Sequence, residues 1–346
     1  MMAGTAAMNP IEAWARRFLT VREVDSVART YRGEGPPSWR RPWPEVEGEL
    51  SPARPGDWWP MVRLVDLLEA AGGARLVLDL GSGPGWPAVP LARKLPEVVA
   101  LDASELAASL LEAARAHAHA SGLRIVRGDA SRLPFPDGTF DAVVMVDLLD
   151  VVPDPLAVAR EVRRVLRPGG RVCSHVQDFR YVLGGHADLW QWGVVQAGES
   201  LACEVHHASL NAPHTLDLRF PLDARHPRSR APAPLPMADT DPDTLLAHLE
   251  RLRPAMLGVV EVYRTTEFVL ETAAQPFAEV GLADLRVRSL DDEACGKHAR
   301  DLVRTGALPD TPAAFEAAAR GLLEAMSSAE GTRGSCLSVH GTRPRA

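Results

Sequence analysis

The chain has 346 residues, 46% of them hydrophobic, with 38 basic against 45 acidic side chains and a net charge of −7. That length and apolar content suit one large globular domain, or one domain with an elaboration. The negative balance, with no block of Lys or Arg, argues against a general affinity for nucleic acid or anionic membrane, and no apolar stretch is long enough to span a bilayer.

The four cysteines, Cys173, Cys203, Cys295 and Cys336, are spaced too widely for a metal knuckle or a redox pair. They read as reduced thiols, and with no apolar leader in the first residues the expected location is the cytoplasm, with no metal and no membrane contact. Asn9 and Pro10 read as the cap and first residue of a helix bearing Ile11, Trp14, Phe18 and Leu19 on one face. A second helical stretch is expected to about Tyr31, and a Pro-, Gly- and Trp-rich loop from Gly33 to Pro55. Asp57 is then the expected cap of a helix that runs to about Gly72 and feeds the first strand.

The densest signal is LVLDLGSGPGW, residues 76–86. An apolar run ending in Asp79 reads as a buried parallel strand, and Gly81, Gly83 and Gly85 let the backbone turn and approach a ligand closely. A helix is expected from about Gly85 or Trp86, since Pro87 and Pro90 fall where N–H groups lack intrahelical acceptors. A dinucleotide fingerprint needs a third glycine where Trp86 stands, and a phosphate loop needs a Gly-Lys-Ser/Thr ending that is missing. VVALDA, residues 98–103, is a second strand that ends in Asp102. Ser104 and Gly122 bracket an alanine-rich helix, and IVRGDA, residues 125–130, brings Asp129 to the end of a third strand. FPDGTFDAVVMVDLLDVVPDP, residues 135–155, reads as strand four and the cap of its helix, with VLRPGGRV, residues 165–172, turning into strand five.

These four pieces, in this order, resemble the class I S-adenosylmethionine-dependent methyltransferases, in particular the group of ubiquinone and menaquinone biosynthesis methyltransferases, over roughly residues 58–178. The resemblance implies an α/β fold: a Rossmann-like doubly wound sheet of order 3-2-1-4-5-7-6 with its last strand antiparallel. An N-terminal helical lid over residues 1–73 goes with it, and Tyr31, Trp39, Trp58 and Trp59 are its candidates, although tryptophans also anchor helices to a core. Residues 74–180 would form the cofactor-binding half of the sheet and 261–346 its completion. The cofactor would be S-adenosylmethionine, held by Asp79, Gly81, Ser82, Gly83, Gly85, Asp102, Ala103, Asp129, Ala130 and Asp147. Asp102 would take the ribose hydroxyls and Asp129 the adenine amino group.

After strand five, residues 181–260 exceed the usual pattern and are expected to form a substrate cap. His186 to His207 reads as helix, His214 to Leu222 as a strand, Pro221 to Pro242 as a proline-rich loop, and Asp243 to about Arg253 as helix. Val262 to Val280 is expected to be the helix before strand six, GLADLRVRSL, and CLSVHGTR at residues 336–343 the last strand.

Candidate bases near strand ends four and five are Asp147, Asp150, His175 and Asp178, and the insertion adds Glu199, His206, His207 and His214. His175, Asp178, His206 and His207 are taken as catalytic candidates, although a histidine within an apolar strand is more often a satisfied core residue. Where family members commonly carry a histidine pair or Glu-His after strand four, this chain has Asp150 and Val151, so that histidine's role does not transfer. The expected activity is methyl transfer to a small-molecule acceptor; the sequence leaves the oligomeric state open, a homodimer included. A protein methyltransferase, or a protein that binds the cofactor without methylating, stays open. DNA is disfavoured, because Asp147-Leu148-Leu149-Asp150 replaces the Asn/Asp-Pro-Pro-aromatic turn of amino-directed enzymes and no Pro-Cys nucleophile is present.

Overall fold

In the computed structural model the described residues are 9–24, 50–118, 120–197, 200–210, 212, 214–229, 238–239, 241–328 and 334–345. Asn9 caps helix α1, Pro10–Phe18, by accepting from the Ile11 and Glu12 N–H groups, and strand β1, Thr20–Glu23, follows. A strand therefore stands where the second helical stretch was expected to begin. The rest of that stretch lies outside the described residues, as do Tyr31 and Trp39. Helix α2, Trp58–Ala71, starts after Asp57, whose carboxylate does not cap it but accepts from the Ser51 N–H at 2.7 Å.

The chain then alternates strand and helix: β2 Leu76–Leu80, α3 Ala88–Ala92, β3 Glu97–Asp102, α4 Glu105–His117, β4 Leu123–Arg127, β5 Phe140–Val146, α5 Pro155–Val165 and β6 Leu166–Gln177. Ser104 and Asp154 cap α4 and α5 through their side chains. A short helix α6, Phe179–Val182, precedes strands β7 Asp188–Ala197, β8 Ser200–Ser209, β9 His214–Leu222 and β10 Ala238–Asp239. Helix α7, Pro242–Leu252, leads to β11 Val259–Thr266, and the chain ends with α8 Gln275–Glu279, β12 Ala283–Leu290, α9 Asp292–Thr305, α10 Pro312–Ser328 and β13 Cys336–Thr342.

Two compact units result. One comprises residues 36–150, 154–182 and 268–346, and the other residues 1–35, 151–153 and 183–267. The described amino-terminal residues expected to form a lid are thus divided: 9–24 cluster with the insertion, and 50–73 with the parallel sheet.

The larger unit holds a seven-stranded sheet of order β12-β13-β6-β5-β2-β3-β4. Pairings from β4 to β6 are parallel, and β13 runs antiparallel to both β6 and β12. Numbered along this sheet alone, the order is 3-2-1-4-5-7-6. The central strands are buried on both faces, which is why β2 and β5 read as unbroken apolar runs and not as alternations. Trp58 is fully buried, its ring edge-on to Phe315 at 4.8 Å and its Nε1 donating to the Pro52 carbonyl. It is a core anchor, contrary to the lid expectation, whereas Trp59 is partly buried under the Arg63 guanidinium.

The smaller unit holds a six-stranded sheet of order β1-β11-β9-β8-β7-β10, antiparallel except for β1 against β11. Leu216, Leu218, Phe220 and Leu222 alternate along β9 and pack with Ile11 and Ala15 of α1 and Leu245 and Leu249 of α7. Two expectations fail here. Where the helix over 186–207 was expected, the antiparallel strands β7, Asp188–Ala197, and β8, Ser200–Ser209, stand: Trp190, Trp192 and Val194 recur at intervals of two, and the register pairs Ala197 with Ser200. Residues 259–266 are strand, driven by the alternating Val260 and Val262, so the helix expected over 262–280 shrinks to α8. Among the described residues no helix is long and apolar enough to cross a membrane.

Candidate functional site

At the carboxyl end of β2 the chain turns through three residues of positive φ, Gly81 at 79°, Gly83 at 50° and Gly85 at 122°. Glycine suits all three, and Gly81 for a second reason. Side chains resist that backbone region, and a carbon added at Gly81 would come within 2.9 Å of Leu148 Cδ1. The turn is tied to β3 by the Gly81 and Ser82 N–H groups, which both donate to the Leu101 carbonyl at 2.8 and 3.2 Å. Regular helix begins only at Ala88, with Pro87 as its cap, slightly later than expected.

Asp102, at the end of β3, accepts from the Gly83 N–H through Oδ2 and from the Ser104 N–H through Oδ1, each at 2.9 Å. Burial nonetheless holds its carboxyl above the ordinary range. Asp79, at the fourth position of β2, is fully buried, and neither carboxylate oxygen has a hydrogen-bond partner among the described residues. The Ser82 hydroxyl beside it donates to the Asp79 carbonyl at 2.8 Å. Burial pushes the Asp79 carboxyl up to about 7, with the Asp102 charge adding to the push and the nearby Ser82 and Ala88 dipoles tempering it. A buried carboxylate with two bare oxygens beside a stripped glycine turn is costly as structure alone, and it is what a cationic or hydrogen-bonding ligand would satisfy.

The other cofactor candidates are placed less tightly. Asp129 is exposed, and its Oδ1 accepts from both the N–H and the hydroxyl of Ser131, which folds the side chain into its own turn. Ala103 is exposed and its carbonyl accepts from Arg127 at 3.3 Å; Ala130 is half-buried. Asp147 is exposed just past β5 with a φ of 52°, and its N–H donates to the His175 carbonyl. Its carboxylate meets Arg63 at 2.9 Å.

His175 is fully buried on β6, with both ring nitrogens engaged. Arg63 Nε, an obligatory donor, gives to Nδ1 at 3.2 Å, so the ring proton sits on Nε2 and donates to Asp66 Oδ2 at 2.8 Å. Asp66, at zero exposure in α2, also receives the Ser338 hydroxyl, His340 Nε2 and Arg288. These partners hold its carboxyl well below the usual range despite burial. Asp66, Cys173 and His175 bring ligating atoms close enough for a metal ion. The Arg63 bond spends the tautomer that would offer Nε2 to a cation, however, and Arg288 already balances Asp66, so the cluster is a hydrogen-bonded brace. Arg63 and Asp66 lie outside every motif of the sequence. The available signal is three charges, Arg63, Asp66 and Glu69, recurring every third residue of an otherwise apolar helix.

Asp178 is buried after β6, and its Oδ1 accepts from the Arg180 N–H. In the other unit, His206 and His207 are neighbours on β8, so they point to opposite faces of the sheet and not about 100° apart as on the expected helix. His206 Nδ1 pairs with Asp217 at 2.9 Å. His207 stacks on Trp190 at 3.8 Å, gives Nε2 to Asp188 and meets the Asn9 amide through Nδ1. Those bonds account for His207 as structure. Glu199 lies outside the described residues.

Residues 78–174 match the family model described as a methyltransferase domain. A ubiquinone biosynthesis O-methyltransferase of Sodalis glossinidius (strain morsitans) is 32% identical over 163 residues, 45% of this chain and 59% of that protein. An uncharacterized methyltransferase of Mycobacterium sp. (strain JLS) is 36% identical over 118 residues, 34% of this chain and 45% of that protein. The chain thus spans about half the length of the curated relatives it matches. Among solved structures, the CcbJ methyltransferase from Streptomyces caelestis is 18% identical with a TM-score of 0.48, covering 83% of this chain and 96% of that one.

Proposed function

Because the chain carries a methyltransferase domain over residues 78–174, a family whose methyl donor is S-adenosylmethionine, we propose that it binds this sulfonium at the β2 turn and transfers the methyl group to a small-molecule acceptor. The observation that carries the reading is Asp79, a fully buried carboxylate whose oxygens have no hydrogen-bond partner among the described residues, next to a turn whose three glycines all take positive φ.

Asp79 would take the amino-acid end of the cofactor, Asp102 the ribose hydroxyls, and the N–H groups and bare Cα atoms of the Gly81–Gly85 turn would admit the ligand at contact distance. Each oxygen of Asp102 accepts one backbone N–H and keeps a lone pair for a hydroxyl. When bound, the cofactor supplies an activated methyl, so the chain's own work is to position, to exclude water and to hold charge. Asp129 and Asp147 are assigned to the adenine side and to the strand-four side of the pocket. The small-molecule assignment has the Sodalis O-methyltransferase name as support. His175 is assigned to bracing Arg63 and thereby Asp147.

Asp102→Ala is expected to weaken S-adenosylmethionine binding by about 1.5–3 kcal/mol, the worth of charge-assisted hydrogen bonds. The substitution also frees the Gly83 and Ser104 N–H groups, so the loss should fall at the upper end. Titration calorimetry reads it directly, and unchanged affinity would remove Asp102 from the site.

A further inference from the structure

Asp150 closes the turn after β5, three residues beyond Asp147. It is 9% exposed, and its Oδ1 is sealed from solvent and accepts no hydrogen bond among the described residues. The same turn is seated on the glycine bend, where Leu148 lies against Gly81. The charged and titratable groups around Asp150 are Asp147 in its own turn, Arg63 from α2 and Cys336 from β13, and the Gln177 N–H of β6 also faces its carboxyl group. Arg63 is committed elsewhere, through Nη2 to Asp147 and through Nε to His175. Burial keeps the Cys336 thiol protonated. No neighbour among the described residues therefore satisfies Oδ1, and a bare buried carboxylate oxygen is expensive to keep without a use.

Resting on the reading that this site transfers a methyl group, we infer that Asp150 is the catalytic base, receiving on Oδ1 the proton of a hydroxyl acceptor. The chemistry of acceptors selects the class. A thiolate, or an aromatic amine as its free base, presents a lone pair at neutral pH and needs no buried base, whereas a hydroxyl oxygen must shed its proton to attack well. In the step, the acceptor oxygen forms the new O–CH3 bond, the S–CH3 bond breaks with its electron pair going to sulfur, and the O–H proton moves to Asp150. Carboxylate and sulfonium charges disappear together, leaving a neutral acid and a thioether. The carboxyl is poised for this, since burial and then the Asp147 charge push it up to about 7, against a smaller pull from Arg63.

The test uses the full chain with three readouts: cofactor affinity by calorimetry, single-turnover transfer from S-adenosylmethionine to phenol and to thiophenol, and carboxyl carbon NMR. Asp150→Asn should keep cofactor affinity within about twofold, lose about 100-fold or more in rate on phenol, and change little on thiophenol, which arrives already ionised. The wild-type rate on phenol should fall as pH drops through about 7, and the carboxyl resonance missing from Asp150→Asn should titrate in the same range. If the variant does not fold, the wild-type pH profile decides. Equal losses on both acceptors, a phenol rate untouched by the variant, no methylation of phenol by wild type, or a carboxyl that titrates near 4 each overturns the inference. If any of these occurs while the cofactor still binds, the inference alone falls; if the cofactor does not bind, the methyltransferase reading falls first.

Discussion

Asp79→Asn is expected to make the protein more stable in mildly alkaline buffer and, at the same time, a much poorer binder of S-adenosylmethionine. The carboxyl is pushed from 3.8 to about 7 in the folded chain, chiefly by burial. A carboxyl whose folded value is raised contributes fully below the unfolded value and loses that contribution as pH rises through the folded one. Stability should therefore fall between about pH 4 and 7, and the full penalty should remain above that. At about 1.4 kcal/mol per pKa unit the ceiling is roughly 4 kcal/mol, and the buried asparagine amide gives part of it back, so a gain of about 2 kcal/mol is expected. Denaturant melts of both proteins at pH 8 and near pH 4 should show this gain at the higher pH and almost none at the lower. In the same variant the cationic amino group of the ligand loses its partner, worth about 10- to 100-fold in affinity. In wild type that affinity should decline as pH falls below about 7. A variant that is both less stable at pH 8 and unaltered in binding would show that the carboxylate is structural.

Gly83→Val should cost still more in binding. Its φ of 50° is strained for a β-branched residue by about 1–3 kcal/mol, and relief of that strain moves the N–H that anchors Asp102 Oδ2. One substitution thus spoils the close approach of the backbone and unseats the ribose acceptor. Affinity is expected to fall by more than about 100-fold, while circular dichroism and a single cooperative unfolding transition persist, because the core strands are untouched. Binding within a few-fold of wild type would contradict the cradle.

The contrast between the two units shows what the amino-acid order makes legible. β2, β3 and β5 were readable because strands buried on both faces must be apolar throughout, and each ends in an acidic residue or a glycine turn with few alternative explanations. Asn9, Ser104 and Asp154 were readable as caps because a side-chain oxygen followed by a helical pattern has one efficient use. The β7–β8 hairpin was missed because Ala, Leu, Gln and Glu around Trp190 and Trp192 are compatible with helix, and the period of two that decides the matter is interrupted by paired residues such as Val194-Val195 and His206-His207. β11 was missed because a family pattern suggested a helix there, although Val260 and Val262 alternate. Arg63, Asp66 and the bonds of His175 could not be read at all. They join α2 to β6, β12 and β13 across more than a hundred residues of sequence, and only the folded sheet brings them together.

On this reading Asp79, Asp102 and the glycine turn form an adenosyl sulfonium site. Titration calorimetry of the full chain with S-adenosylmethionine and S-adenosylhomocysteine, beside NAD and ATP, tests it most directly. Saturable one-to-one binding of the first two, weakened in Asp102→Ala and lost in Gly83→Val, is the predicted result. Binding of NAD or ATP, with no uptake of either adenosyl compound, would contradict it.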